Sequence, residues 1–450
     1  DYFPHWKRWD LNTLPMLPEK FETRVMDDEG VKKQMKVIQD LCQSAQEVIN
    51  CGDAGQEGEL IQRWVLKAAN YQGPVQRLWI SSLTKEAIEQ GFKDLKPAEQ
   101  FDLLYHAGSS RAIGDWLLGM NATRLFTLKF GGNKQVLSIG RVQTPTLAML
   151  VQRYEEIQNF TSTPYWEIQT LYRDTPFRYT EGRFEKQEAG EEVLAKIQNK
   201  DLHITEVEGK DGKEYAPKLF DLTGLQVYSN THFNLSAENT LKTVQSLYEK
   251  KVVTYPRVDT TFLPNDMYPK VPKILQGLHD YQSLTEPLLG KKIRKSTKVF
   301  NDKKVTDHHA IIPTGEKGHL NAVEQQVYDI IVRRFIAVFY PDCKVAKTEV
   351  KAHCEEIPFV AKGKEIIDPG WRVVFESQQD ENKKEDEDGI LPTFEVGEQG
   401  PHVPDFVEKW TKAPAQYTEA SLLRAMEAAG KQVDDDELRD LMKENGIGRP

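Results

Sequence analysis

The sequence predicts a multidomain protein in which an α/β unit is joined to separate helical (α) and strand-rich (β) segments. Three observations lead there. At 450 residues and 39% apolar content, the chain can support about three or four cores at roughly 100–200 residues per domain. Residues 47–68 read as a strand, a glycine-punctuated loop and a helix, the opening unit of an α/β sheet. The apolar pattern then changes period. It alternates in strand fashion from about Thr163 to Lys210, turns helical over Leu222–Glu249, and returns to alternation over 346–410.

Taken in order, the first fifty residues open with aromatic and proline punctuation (Tyr2, Phe3, Trp6, Trp9, Pro15, Pro18), followed by Val31, Met35, Ile38 and Leu41 at helical spacing. Val48 and Ile49 suit a short buried strand, Gly52 and Gly55 permit a tight turn, and Leu60, Ile61, Trp64, Val65 and Ala68 form a helical stripe. Asp53 and Glu57 project from that loop. Carboxylate oxygens are the ligands Mg²⁺ prefers, and carboxylates also stabilise a helix start with no metal at all; this segment alone leaves both readings open. Val75 to Ile80 is strand-like, and Thr84 opens a helix carrying Ala87, Ile88 and Phe92.

Charge is unevenly spread. The formal balance of −10 excludes a generally basic coat. Yet Trp116 to Tyr154 holds no Asp or Glu while containing Arg124, Lys129, Lys134, Arg141 and Arg153. That is the pattern of an internal polyanion site or of a solvated face. Within it Thr144 reads as an N-cap with Pro145 at the first helical position, and Arg141 just upstream suits a phosphate at the helix start. Glu376 to Asp388 reads as a solvated loop, and so does Gly209–Glu214. Ser236 caps a helix bearing Leu241, Val244 and Leu247, and an apolar helix covers Val327 to Phe339. A last capped helix, with Leu422, Leu423 and Met426, is stopped at Gly430. The four cysteines show no CxxC pairing, so they read as mostly buried thiols in a reducing compartment, with no zinc site and no disulfide framework. With no run of about 18 apolar residues and no signal peptide, a soluble cytoplasmic protein is expected.

One stretch organises the rest, Val252-Val253-Thr254-Tyr255-Pro256-Arg257-Val258-Asp259-Thr260-Thr261. Pro256 biases Tyr255 toward an extended strand end. A phenol held there can act as a nucleophile, and the planar fork of Arg257 can meet a phosphate; an ordinary strand exit would look the same locally.

Six phrases occur in one order: GDAGQEGE (52–59), SIGRVQTPTL (138–147), VTYPRVDT (253–260), DHHAIIPT (307–314), QYTEASLL (416–423) and GIGRP (446–450). Together they resemble the type IA DNA topoisomerases, and within them the bacterial-type topoisomerase III branch, over nearly the whole chain. The resemblance implies a torus around a hole for DNA. Residues 1–100 would be part of a Rossmann-like Toprim domain. Residues 101–160 with 411–450 would be the helical domain for single-stranded DNA. Residues 161–221 and 346–410 would form a strand-rich arch, and 222–345 an inserted domain carrying the tyrosine. The chain would be incomplete at both ends, starting after the Toprim strand that carries a further catalytic glutamate.

The resemblance also implies an activity: transient single-strand cleavage through a 5′-phosphotyrosine, strand passage and religation without ATP, relaxing negative supercoils or decatenating DNA. It makes Tyr255 the nucleophile. Arg257, His308 and Glu57 join it as catalytic residues, and His309 is structural. Asp53 and Glu57 would hold Mg²⁺, or Mn²⁺. Ser138, Arg141, Gln143, Thr144, Arg124, Lys134, Asp259 and Thr260 would contact DNA. The expected partner is single-stranded DNA, met by a monomer in the nucleoid-bearing cytoplasm, with no membrane. One departure stands out. The family phrase reads Asp-x-Asp-x-Glu, whereas here Gly55 replaces the middle carboxylate and Gln56 a frequent arginine. A rival reading is therefore a DNA-binding scaffold without cleavage.

Overall fold

The structure, a computed structural model, describes residues 3–80, 85–132, 135–305, 308–378, 389–432 and 447. Thr84, Lys134, residues 379–388 of the acidic run, and the GIGRP phrase apart from Ile447 lie outside the described residues.

Two sheets organise the described residues. The first is built from β1 (Val48–Asn50), β2 (Val75–Arg77) and β3 (Lys96–Pro97), in that order. β1 and β2 are parallel, with Val48 opposite Val75. A parallel pair needs a crossover, and α2 (Gln56–Ala68) supplies it, after α1 (Glu29–Ser44). Glu57 and Glu59 in its first turn and Lys67 in its last complement the helix dipole. α3 (Lys85–Lys93) joins β2 to β3, and the long α4 (Asp102–Phe130) packs on α2. α5 (Gln143–Gln158) follows.

Helix α5 begins one residue before the expected N-cap Thr144, and Val142 takes the N-cap position. The Gly140 amide donates to Thr144 Oγ1 at 3.0 Å, so the hydroxyl closes the turn from inside the helix rather than from its cap. Pro145 is tolerated because the first turn needs no amide donor there.

The second sheet is antiparallel and seven-stranded: β4 (Pro164–Tyr172), β5 (Thr175–Tyr179), β6 (Asp201–Glu214), β7 (Cys343–Cys354), β8 (Ile357–Asp368), β9 (Gln399–Pro401) and β10 (Val403–Trp410), in the order β10-β4-β5-β8-β7-β6-β9. Phe177, Ile197, Leu202, Val350 and Phe359 fill its core. Two expectations fail here. Gly209–Glu214 is strand, not loop, paired from Gly209↔Thr348 to Glu214↔Cys343; its own residues, GKDGKE, are polar, and the ladder forms through backbone groups that carry no side-chain signature. The helix α6 (Gln187–Ile197), unforeseen within the alternating stretch, packs on β4 and β10. A Cβ on its Gly190 would sit 2.3 Å from the Phe406 ring, so only glycine allows that approach.

Between β6 and its neighbour β7 the chain leaves the sheet and builds a separate core. That unit holds α7 (Leu222–Phe233), α8 (Ala237–Glu249), α9 (Val271–Gly277), α10 (Gln282–Leu289) and α11 (Ala322–Ala337). Leu225, Leu247, Val271, Ile330 and Phe335 are fully buried in it. After β10 the chain ends its described part in α12 (Glu419–Ala428), capped by Thr418 and packed on α7. Arg153 of α5 reaches across to the Ala415 carbonyl and lies over the Tyr417 ring.

The cysteines are all free, but only Cys343 and Cys354 are buried; Cys51 is exposed on the loop after β1. Among the described residues, no helix is long and apolar enough to cross a membrane.

Candidate active site

Helix α8, capped by the Ser236 hydroxyl on the Asn239 amide, delivers the chain to Tyr255. Lys251 adopts a left-handed conformation (φ 62°) and turns the chain out of the helix. Val252 and Val253, each 1% exposed, then anchor the segment in the core. Instead of a regular strand, the segment makes one bridge, Val253 to Pro313. Prolines at 256 and 313 carry no amide hydrogen, so no longer ladder can grow. Thr254 completes the clamp. Its amide donates to Ile312 O at 2.9 Å and its Oγ1 accepts from the Ile312 amide at 3.0 Å. The VTYPRVDT and DHHAIIPT phrases therefore lie side by side.

That clamp fixes the ring of Tyr255. His308 lies against it with centroids 4.4 Å apart and a 38° tilt, and Tyr248 meets it edge-on at 5.4 Å. The phenol donates to Asp53 Oδ2 at 3.2 Å, joining positions 202 residues apart. Burial, then the Asp53 carboxylate, push the phenol up to about 12, against the lowering pull of exposed Arg257. Burial likewise pushes His309 down to about 4. At 1% exposed, with Nδ1 2.8 Å from the Ala310 carbonyl, His309 stays neutral and inside the core.

The Asp53 loop is held by a residue to which the sequence reading gave no role. Arg77, 0% exposed, donates Nη1 to Gly52 O (2.7 Å) and Leu78 O (2.8 Å), and Nη2 to Asp53 O (2.6 Å). Its Nε pairs with Glu59 Oε2 at 2.8 Å. Glu59, also 0% exposed, binds Arg63 through its other oxygen at 2.7 Å. A buried guanidinium can satisfy several carbonyls with one charge, provided a carboxylate balances it. An arginine inside the otherwise strand-like Val75–Ile80 run was the available signal. Gly58 adds to the fit, since a Cβ there would stand 2.2 Å from Asp53 O.

Glu57 is exposed in the first turn of α2, beside the same loop. Among the described residues no group of three or more His, Cys, Asp or Glu side chains is placed to hold a metal. Two carboxylates on one loop match what Mg²⁺ uses when substrate phosphates and water complete its shell, rather than an all-protein cage.

The remaining predicted residues divide. Ser138, Arg141 and Gln143 are exposed at the start of α5. The strip before it runs along α4, where Leu137 N and Ile139 N each donate at 2.9 Å to Thr127 Oγ1 and Thr123 Oγ1, hydroxyls four residues apart on one helix face. Arg141 pairs with Asp115 at 2.8 Å, an acid one residue outside the acid-free window. Asp259 is exposed. Two expectations need correction. Arg124 is 7% exposed and donates to Trp6 O at 2.5 Å, and Thr260, also 7% exposed, donates to Lys304 O at 2.5 Å. Both are turned into the protein and support local structure rather than a DNA contact.

The sequence model of a family described as DNA topoisomerase matches residues 99–450. The chain belongs to the DNA topoisomerase family. Among its relatives, DNA topoisomerase 3 of Bacillus cereus is 35% identical over 99% of this chain and 63% of its own length. DNA topoisomerase 3 of Bacillus subtilis strain 168 is 36% identical over 95% and 60%. The chain thus spans less than two thirds of these topoisomerases. A solved structure of full-length topoisomerase I from Thermotoga maritima superposes with a TM-score of 0.69 at 22% identity, covering 90% of this chain and 66% of that one, and shows the shared fold. The type IA, topoisomerase III resemblance carried by the six phrases is upheld.

Proposed function

We propose that this chain performs, within a type IA topoisomerase, the transient cleavage of one DNA strand. The Tyr255 oxygen attacks a backbone phosphorus; its bond to the 3′-oxygen breaks, leaving a 5′-phosphotyrosine and a 3′-hydroxyl that carries away a proton. After strand passage the 3′-hydroxyl attacks the same phosphorus and releases the phenol. The phosphodiester is conserved throughout, so no ATP is needed, and the outcome is relaxation of negative supercoils or decatenation. The contact between the Tyr255 phenol and Asp53 carries the reading. It gives the departing proton an acceptor, and Arg257 and His308 border the place a phosphate would take.

Asp53 and Glu57 would hold Mg²⁺, or Mn²⁺, with the DNA itself, and a divalent cation there supplies positive charge beside the reacting phosphate. Ser138, Arg141, Gln143 and Thr144, with Lys134 and Asp259, would grip a single strand by its backbone, which gives low sequence specificity. In this reading 1–100 is part of the Toprim domain, 101–160 with 411–450 the single-strand-binding helical domain, 161–221 with 346–410 the arch, and 222–345 the inserted tyrosine-bearing domain. A cytoplasmic, nucleoid-associated monomer fits that work.

The test is plasmid relaxation by the complete protein with Mg²⁺, beside Tyr255→Phe. Loss of relaxation and of the covalent adduct in the variant supports the assignment. An intact adduct in Tyr255→Phe overturns it. Single-strand binding by the unaltered protein with no adduct under any divalent cation would favour the scaffold reading, which Gly55 motivates.

A further inference from the structure

We propose that residues 291–304 form a second surface for DNA phosphates, continuous with the site around Tyr255; this rests on the strand-cleaving reading above. The segment, KKIRKSTKVFNDKK, carries seven Lys or Arg and one acid, in a chain whose formal charge is −10. Its apolar members point inward, with Ile293 8%, Val299 6% and Phe300 3% exposed, and all seven basic residues are exposed. Among the described residues only Arg294 has a carboxylate partner, Asp342 at 2.6 Å. The single acid, Asp302, offsets one charge of the seven; its two oxygens accept from the Asn265 amide and Nδ2, both at 2.7 Å, and it makes no ion pair among the described residues.

The contrast with the seven-stranded sheet is direct. There Lys351, Lys362 and Lys409 each sit within 3.1 Å of a glutamate, the mixed pattern of an ordinary solvated face. Three of these lysines, Lys295, Lys298 and Lys304, lie over the rings of Tyr268, Tyr215 and Phe262, which add no negative charge. A block of cations with so few carboxylate partners is electrostatically unfavourable by itself and favourable when phosphates cover it.

Placement supplies the second half of the inference. The basic segment is bonded to the chain that runs on from Tyr255 and Arg257. Leu263 N donates to Val299 O at 2.8 Å, and Asn301 N donates back to Leu263 O at 2.9 Å. Ala310 N in turn donates to Phe262 O at 3.0 Å, two residues after His308. Four short segments thus lie in sequence, 252–254, 310–312, 262–263 and 299–301, with the nucleophile at one side and the lysines at the other. A backbone engaged at Tyr255 would reach this loop without leaving the inserted unit.

The experiment compares the complete protein with a Lys291→Gln, Lys292→Gln, Lys303→Gln triple variant, and with a control triple, Lys351→Gln, Lys362→Gln, Lys409→Gln. Binding of fluorescein-labelled oligothymidine is read by anisotropy across a salt series, with thermal midpoints confirming that each variant folds. Each phosphate contact on a single strand contributes about 0.7 to the log–log salt slope. The first triple should therefore lose about 2 from the slope and at least about tenfold in affinity at low salt. The control triple should change little, and replacing the same three lysines by arginine should restore binding. Unchanged affinity and slope in the first triple, or an equal loss in the control, overturns the surface. Adduct formation by the unaltered protein is read separately. If no adduct forms while the first triple loses affinity, the cleavage reading fails and the phosphate surface stands.

Discussion

The Tyr255 phenol donates a 3.2 Å hydrogen bond to Asp53 Oδ2, so the phenol proposed as nucleophile is held protonated beside the carboxylate proposed to take its proton. Burial and the Asp53 charge raise the phenol to about 12. Replacing Asp53 by Asn removes the charge and keeps the shape, so the phenol should titrate lower than in the unaltered protein. The readout is phenolate absorbance, taken as the difference between each protein and its Tyr255→Phe counterpart, because Tyr179 and Tyr328 also rise to about 12. The sign for stability follows. A folded-state phenol raised above its ordinary value near 10 stabilises the fold below pH 10, and that contribution is lost between about pH 10 and 12. Tyr255→Phe should flatten that part of the stability curve while altering neutral-pH stability by only about 1 kcal/mol, the net worth of one hydrogen bond.

Arg77 should be indispensable to the Asp53 loop without touching DNA. Arg77→Met would leave Glu59 buried with one partner gone and three backbone carbonyls unmet, at a cost of about 3–5 kcal/mol. Arg77→Lys keeps the charge but cannot span those acceptors. We expect the lysine variant to fold with a lowered thermal midpoint, to bind single-stranded DNA normally, and to form adduct at a reduced rate. Normal adduct formation by Arg77→Lys would show that the loop needs only a charge.

The site was legible in the sequence where chemistry is local and hidden where it is assembled. Tyr255, Arg257, His308, Asp53 and Glu57 each stand in a short phrase, and Ser236 and Thr418 are caps readable from residue type. Nothing local says that Tyr255 faces Asp53, since that contact depends on two chain segments 202 residues apart. Arg124 and Thr260 looked available because charge and hydroxyl groups are scored as exposed until packing shows otherwise. In Arg124 the guanidinium caps the Trp6 carbonyl. Gly209–Glu214 misled for the opposite reason, because its residues, GKDGKE, have no apolar alternation to read although they pair in a ladder.

Acid should loosen the helix that delivers Tyr255. Glu324 closes the capping box of α11 and binds Lys250, at the end of α8, at 2.6 Å. The Lys250 ammonium and the Asn321 amide hold its carboxyl down at about 2. A depressed folded-state value stabilises above the ordinary carboxylate range near 4.3, and the contribution is lost as pH falls from there toward about 2. Lys250→Met should shift the acid unfolding midpoint, followed by far-ultraviolet circular dichroism, to higher pH. An unshifted midpoint would mean that the Asn321 amide alone maintains the cap.

Gly55 is the position where the acidic site can be completed by a single change. Its backbone is extended (φ −173°, ψ 172°), a conformation any residue adopts, and it occupies the N-cap of α2, where Asp is a preferred residue. Gly55→Asp should therefore fold at least as well as the unaltered protein. It adds a third carboxylate to Asp53 and Glu57, which raises the charge available to a divalent cation at the cost of more repulsion in the cation-free state. Adduct formation titrated with Mg²⁺ should reach half-maximum at a lower concentration in the variant, and chelation should abolish it in both proteins. Gly58→Ala supplies the contrary case. Its Cβ would press on Asp53 O from 2.2 Å, so it should weaken Mg²⁺ dependence by displacing Asp53 without altering a single charge. A Mg²⁺ midpoint shared by all three proteins would place the cation away from this loop.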